Sequence, residues 1–227
     1  MKLPIFLLIL FALSSPWIAV TFVMRQQLRF LRQQLGISMC GFSMWFYRDG
    51  IPVVLKPTLF SKYLRNISGM QRGGGIQALR QKPLISVLIP IKGSLFNQKP
   101  WSIEKKGTIP LVQKTIAFLQ GPDSQELTLH GSKYQVWAFD PARRDHIISH
   151  MDALAPKLDT FLSDNITWGR VGTSVEPTFY GWSFHIGCLA ALQGLPEDIS
   201  SNPDQFLSIV DGFIEFLRTI GEAPLKK

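Results

Sequence analysis

PIFLLILFALSSPWIAVTFVM, residues 4–24, runs for 21 residues without a charged side chain. At about 1.5 Å of rise per residue, a helix of that length just crosses a hydrocarbon core roughly 30 Å thick. The expectation is a single-pass signal-anchor, residues 1–24, that stays on the mature chain. A cleaved signal peptide is the first alternative, with Lys2 as its basic start and Ala12-Leu13-Ser14 as the cut. Against cleavage, apolar residues continue as Trp17-Ile18-Ala19-Val20, and Pro16 lies just after the cut. A buried core helix is the second alternative, and it would have to be apolar on every side. Pro16 removes one backbone donor and kinks such a span, with Ser14 and Ser15 placed to satisfy freed carbonyls.

Charge is divided along the chain. Residues 25–108 carry 14 Lys or Arg against Asp49 and Glu104, a net +12, whereas residues 109–227 carry nine against 14 acids, a net −5. The overall +8 therefore hides a basic membrane-proximal region and a mildly acidic distal region. Positive charge directly after the span favours a cytoplasmic C-terminal domain at the cell (inner) membrane. It also favours contact with a lipid bilayer bearing anionic headgroups, at roughly 1 kcal/mol per Lys or Arg near the surface. The candidate membrane-surface residues are Arg25, Arg29, Arg32, Lys92, Lys99, Trp101, Lys105 and Lys106, in the segments flanking the span and in a basic loop over 92–108. For Trp101 the competing role is to cover the core. Nucleic acid is not expected as a partner, because no base-reading module accompanies the basic residues.

The hydrophobic content of 46% and aromatic content of 11% point to a folded domain beyond the anchor. Residues 109–227 form one domain with 36–108 in this reading. Cys40 and Cys188 have no patterned spacing, which argues against a disulfide-stapled secreted domain. The sequons at Asn66 and Asn165 are short enough to arise by chance.

Taken in order, RQQLRFLRQQL at 25–35 predicts an amphipathic helix ended by Gly36. Apolar runs at 42–47 and 51–55 around Asp49-Gly50 predict a hairpin. A short helix over 58–67, a linker at 72–75 and a buried strand over 84–91 follow. The distal region predicts a helix over 110–120 and a second hairpin, 126–130 with 133–139 about Gly131-Ser132. A helix capped by Asp140-Pro141 then runs towards Leu154, is interrupted at Pro156 and resumes to Leu162. Beyond it come a strand over 166–171 and an apolar helix over 176–193, opened by Glu176-Pro177. The last helix starts at Asn202-Pro203 with a stripe of Phe206, Leu207, Val210, Phe213, Ile214, Leu217 and Ile220. The fold class is α+β: an anchor, then a mixed domain of two β-hairpins, further strands and about five helices.

Chemistry is sparse. His146 and His150 lie at i, i+4 and could share a metal ion, with His185 and Cys188 as further ligands. The metalloprotease pattern needs Glu after the first His, and Ile147 stands there. Gly181-Trp-Ser-Phe-His185 lacks the second Gly of a nucleophile elbow. No dinucleotide, phosphate-loop or kinase pattern is present, and no cofactor is expected. The leading expectation is a membrane-anchored, non-enzymatic interaction protein docking on a protein partner in a larger membrane complex. Accessory and exclusion proteins of bacterial secretion and conjugation systems share that architecture, though no motif here resembles theirs. The alternative is a membrane-tethered, metal-dependent enzyme using His146 and His150.

Overall fold

The computed structural model describes residues 22, 25–26, 28–41, 43–57, 85–93, 100–105, 127–128, 134–162, 169–193, 195, 199 and 201–226. Apart from Phe22, the apolar span over 4–24 lies outside them. So do the expected helices over 58–67 and 110–120, the linker at 72–75, and Lys99 and Lys106. No helix among the described residues is long and apolar enough to cross a membrane.

Nine antiparallel strands form one sheet: β1 (Ser38–Cys40), β2 (Ser43–Arg48), β3 (Ile51–Pro57), β4 (Ile85–Pro90), β5 (Trp101–Lys105), β6 (Leu127–Thr128), β7 (Tyr134–Ala138), β8 (Arg170–Tyr180) and β9 (Ser183–Gln193). Their order is β1-β2-β3-β4-β9-β8-β5-β7-β6, with β6 contributing only two residues. The helices are α1 (Arg29–Leu35), α2 (Pro141–Ser149), α3 (Met151–Phe161) and α4 (Pro203–Thr219). The fold class is thus α+β, with an open antiparallel sheet.

Strand alternation distributes two cores. Met44, Phe46, Val53, Leu55, Val87, Ile89, Cys188, Ala190 and Leu192 face the helices, while Trp45, Val54, Leu88, Leu189 and Ala191 face the other way. On the helix side α4 supplies Phe206, Ile209, Val210, Phe213, Ile214, Phe216 and Leu217, all buried. It begins where expected: the Asn202 side chain accepts from the Gln205 N–H at 3.1 Å and Pro203 follows. Leu207 of the expected stripe is only half-buried, and Phe216 takes its place. Gly212 lets α3 and α4 meet, since a Cβ there would stand 2.9 Å from Phe161 Cε1. Leu28 and Leu31 bring α1 into the same core, and Gly36 ends α1 in the left-handed region at φ 61°.

The strands of both expected hairpins pair, β2 with β3 and β6 with β7; the latter is described only at Leu127↔Val136 and Thr128↔Gln135, and Gly131-Ser132 lies outside the described residues. The first turns on Asp49 and Gly50 with φ of 50° and 76°, a conformation Asp-Gly tolerates well. The buried strand over 84–91 is β4. Two expectations are corrected. The break after α2 falls at His150, and Pro156 sits inside α3. Residues 176–193 are not a helix; they belong to the long hairpin β8–β9, paired without interruption from Arg170↔Gln193 to Tyr180↔Ser183. Val171, Thr173, Val175, Thr178, Phe179 and Tyr180 suit a pleated strand, which overrides the helix-start signal of Glu176-Pro177. The turn itself places both Gly181 and Trp182 at positive φ, 59° and 65°.

Candidate functional site

Only the root of the long hairpin lies within the sheet. β9 pairs with β4 from Leu189 to Gln193, and β8 pairs with β5 from Arg170 to Gly172. Gly172 is needed there, because a Cβ would stand 2.7 Å from the Trp101 carbonyl oxygen. The rest of the hairpin, residues 173–188, forms an arm that curls over the second sheet face. Lys56 Nζ donates to the Pro177 carbonyl and pairs with Glu176 Oε2 at 3.4 Å. The Phe179 N–H donates to Ser43 Oγ at 3.2 Å. Trp182 meets Trp45 edge-on, with ring centroids 5.2 Å apart and planes at 86°.

The pairing register gives the arm two unlike faces, since directly opposed residues share a side. One face holds Glu176, Thr178, Tyr180, Ser183, His185 and Gly187, and it turns towards the sheet. There Thr178 is fully buried with its hydroxyl unpartnered, and His185 stacks on Tyr180 at 3.8 Å. The other face holds Val175, Pro177, Phe179, Phe184 and Ile186. It continues the face that the helices cover at the root of the sheet, but here no described helix covers it. Val175, Phe184 and Ile186 are 56%, 55% and 58% exposed, and Trp182 at the tip is 72% exposed. Four of the eight exposed large hydrophobic residues among those described therefore sit on this one arm of sixteen residues. Apolar side chains scattered singly over a surface are ordinary, whereas these four are gathered on one ribbon. Trp182 adds strain to that signal, because a non-glycine residue at positive φ persists only where its surroundings hold it.

The expected sites are dispersed. His146 on α2 and His150 at its end have ring centroids 4.5 Å apart with planes tilted by 55°, and His150 Nδ1 lies 2.9 Å from the His146 carbonyl oxygen. His185 belongs to the arm and Cys188 to its buried root. Among the described residues, no group of three or more His, Cys, Asp or Glu side chains converges as a metal site would require. Trp101 is not in a basic loop; it lies on β5, fully buried, with its indole N–H donating to Glu222 Oε1 at 2.7 Å. A buried ring cannot touch a membrane surface. Arg25 and Arg29 are exposed, Arg25 Nε standing 3.0 Å from Met39 Sδ, and Arg32 is half-buried. Lys92 is exposed beside the C-terminal tail, where its backbone N–H donates to the Ala223 carbonyl at 2.8 Å, and Lys105 ends β5.

A cleft of about 650 Å³ between α3 and α4 is lined by Arg48, Lys157, Thr160, Asp204, Ser208 and Asp211 among others. Its cations are engaged within the protein. Arg48 makes a two-pronged contact to Asp211 at 2.7 and 2.6 Å, and Lys157 meets Glu215 at 2.8 Å. The bond to Asp211 holds the Arg48 guanidinium even more firmly protonated than usual. Such a cleft offers little free polarity to a ligand.

Compared with known proteins, the chain matches no family model, and no curated protein or solved structure matches it. The apolar face of the arm is the feature that sequence reading missed. Its signal was present as β-branched and aromatic residues on both sides of Gly181.

Proposed function

We propose that the chain is a membrane-anchored, non-enzymatic docking protein. Its α+β domain, on the cytoplasmic side, binds a protein of a larger membrane complex through the outward face of the β8–β9 arm. The observation that carries this reading is the inversion of the arm: Thr178 and Tyr180 are folded against its own sheet, whereas Val175, Phe184 and Ile186 on the opposite face are exposed and have no cover among the described residues. About 25 cal/mol is gained for each Å² of apolar surface withdrawn from water, so a partner covering Phe184, Ile186 and Trp182 gains several kcal/mol. Aromatic anchors of this kind dominate binding energies. The 21-residue uncharged span and the +12 region after it support the membrane setting.

No specific observation favours the metal-dependent alternative, since the arm carries the unexplained surface and His146 and His150 belong to α2 and its C-terminal cap. The test is co-purification from detergent-solubilised membranes. The full-length chain is expected to retain a stoichiometric protein partner that Trp182→Ser with Phe184→Ser loses and that Ser208→Ala keeps. Equal recovery with all three would overturn the reading.

A further inference from the structure

The two edges of the arm are treated differently. Along β8, Pro177 has no N–H, its carbonyl accepts from Lys56, and the Phe179 N–H donates to Ser43 Oγ. These contacts also fix the phase of pairing. Pro177 and Phe179 turn their backbone groups away from β9, so the residues opposite them, Ile186 and Phe184, turn theirs away from β8. Cys188 continues that row, and its carbonyl accepts from the Ile91 N–H at 3.1 Å where the lane of β4 ends. Beyond Ile91 no described strand continues the lane. The backbone groups of Phe184 and Ile186 have no hydrogen-bond partner among the described residues.

Exposed sheet edges are normally blunted by Pro, Lys or a covering segment. The β8 edge has Pro177 and the Lys56 contact, whereas residues 178–196 hold no Lys, Arg, Asp or Glu. We infer that a second copy of the chain pairs its own β9 with this edge. The strands run antiparallel about a two-fold axis at His185, with Phe184 of each copy opposite Ile186 of the other. Three features commit the slot to a second copy. Only two residues point outward, and a two-fold axis matches them to each other, giving four backbone hydrogen bonds. Both matched side chains are large and apolar and lie on one face, so each covers the other. The stretch has no acid or strong base, so two identical strands can abut without like-charge repulsion. The slot is also short, closed by Ile91 at one end and the Gly181-Trp182 turn at the other. This inference rests on the arm being an interaction element, but it uses the edge of the ribbon and leaves its apolar face free. Pairing would join two such faces side by side in a four-stranded ribbon.

The test uses the full-length chain in detergent, with Cys40→Ser and Cys188→Ser as background and one cysteine added by His185→Cys or Ser183→Cys. Opposed residues at a non-hydrogen-bonded antiparallel position have Cα atoms about 4.5 Å apart, within disulfide reach. Mild oxidation is expected to convert the His185→Cys chain to a covalent dimer at least about tenfold faster than the Ser183→Cys chain, whose cysteine would face Gly187 of the second copy. Equal cross-linking at both positions, or none at either, overturns the register. In parallel, sedimentation equilibrium compares the wild-type chain with Ile186→Pro, which removes an outward N–H and spares the bonds to β8. The expected result is a folded variant, judged by circular dichroism, whose self-association is weaker by about tenfold or more. Undiminished self-association in that variant, or a monomeric wild type, overturns the pairing. Neither result bears on the docking reading, which stands or falls with Trp182 and Phe184.

Discussion

Glu222 is the residue on which several parts of the fold converge. Its Oε1 accepts from Trp101 Nε1 at 2.7 Å and from Arg143 at 2.6 Å, tying β5 and α2 to the C-terminal tail. The tail is also held to the end of β4, with the Leu225 N–H donating to the Pro90 carbonyl at 2.8 Å. Glu222→Ala leaves a buried indole N–H and a partly buried guanidinium without partners. The expected loss is about 2–3 kcal/mol in urea denaturation, and Glu222→Gln, which keeps an accepting oxygen, should recover roughly half. Close by, burial pushes the Cys188 thiol up from its usual range, and the Glu222 carboxylate adds to the shift. A raised folded-state value disfavours the thiolate in the native protein. Its contribution to stability is therefore full below the unfolded thiol pKa and is lost as pH rises through the folded one. Tyr180 is raised too, by burial and then by Tyr47, and acts at higher pH. Stability should fall above about pH 8.5, and Cys188→Ala should flatten the first part of that fall. Urea midpoints at several pH values check this; an unchanged slope would remove Cys188 from the account.

Among the elements, the arm carries two features that cost stability. Thr178 is buried with its hydroxyl unpartnered, and Trp182 occupies the left-handed region. Thr178→Val keeps the shape and removes the unsatisfied group, so it should stabilise the protein by about 1 kcal/mol. A clear loss in thermal or urea denaturation would mean that the hydroxyl has a partner. Trp182→Gly relieves the backbone at the turn and gives up the contact with Trp45. Stability should stay within about 1 kcal/mol of wild type while partner binding is lost, separating fold from function at one residue.

The arm also marks where sequence reading stopped. The β2–β3 hairpin was legible because Asp49-Gly50 is a recognised turn pair, and α4 because Asn202-Pro203 and its apolar stripe coincide. The β8–β9 hairpin turns on Gly181-Trp182, where tryptophan gives no turn signal, and Glu176-Pro177 imitates a helix start. An apolar strand face next to an apolar root then resembles a buried helix. Trp101 was misplaced for a related reason: lysines nearby in sequence suggested a basic loop, whereas the strand β5 draws the ring into the core. The outward face of the arm could not have been inferred from composition, because its exposure depends on where the helices end.

At the scale of the whole molecule, a basic region after the apolar span precedes a domain in which half of the exposed large hydrophobic residues, among those described, gather on one β-ribbon. The full-length chain should remain in the membrane pellet after a carbonate wash; a soluble form beginning near Ser15 would show instead that a signal peptide had been removed. The most direct test of the docking surface is site-specific photo-cross-linking in intact membranes, with a benzophenone side chain at Trp182, Phe184 or Ser208. Ser208 is exposed on α4, away from the arm. Positions 182 and 184 are expected to label one membrane-complex protein, with position 184 also labelling a second copy of the chain, and position 208 to label no other protein. Labelling of the same protein from Ser208, or labelling of lipid alone from 182 and 184, would contradict the assignment of the arm as a protein-docking surface.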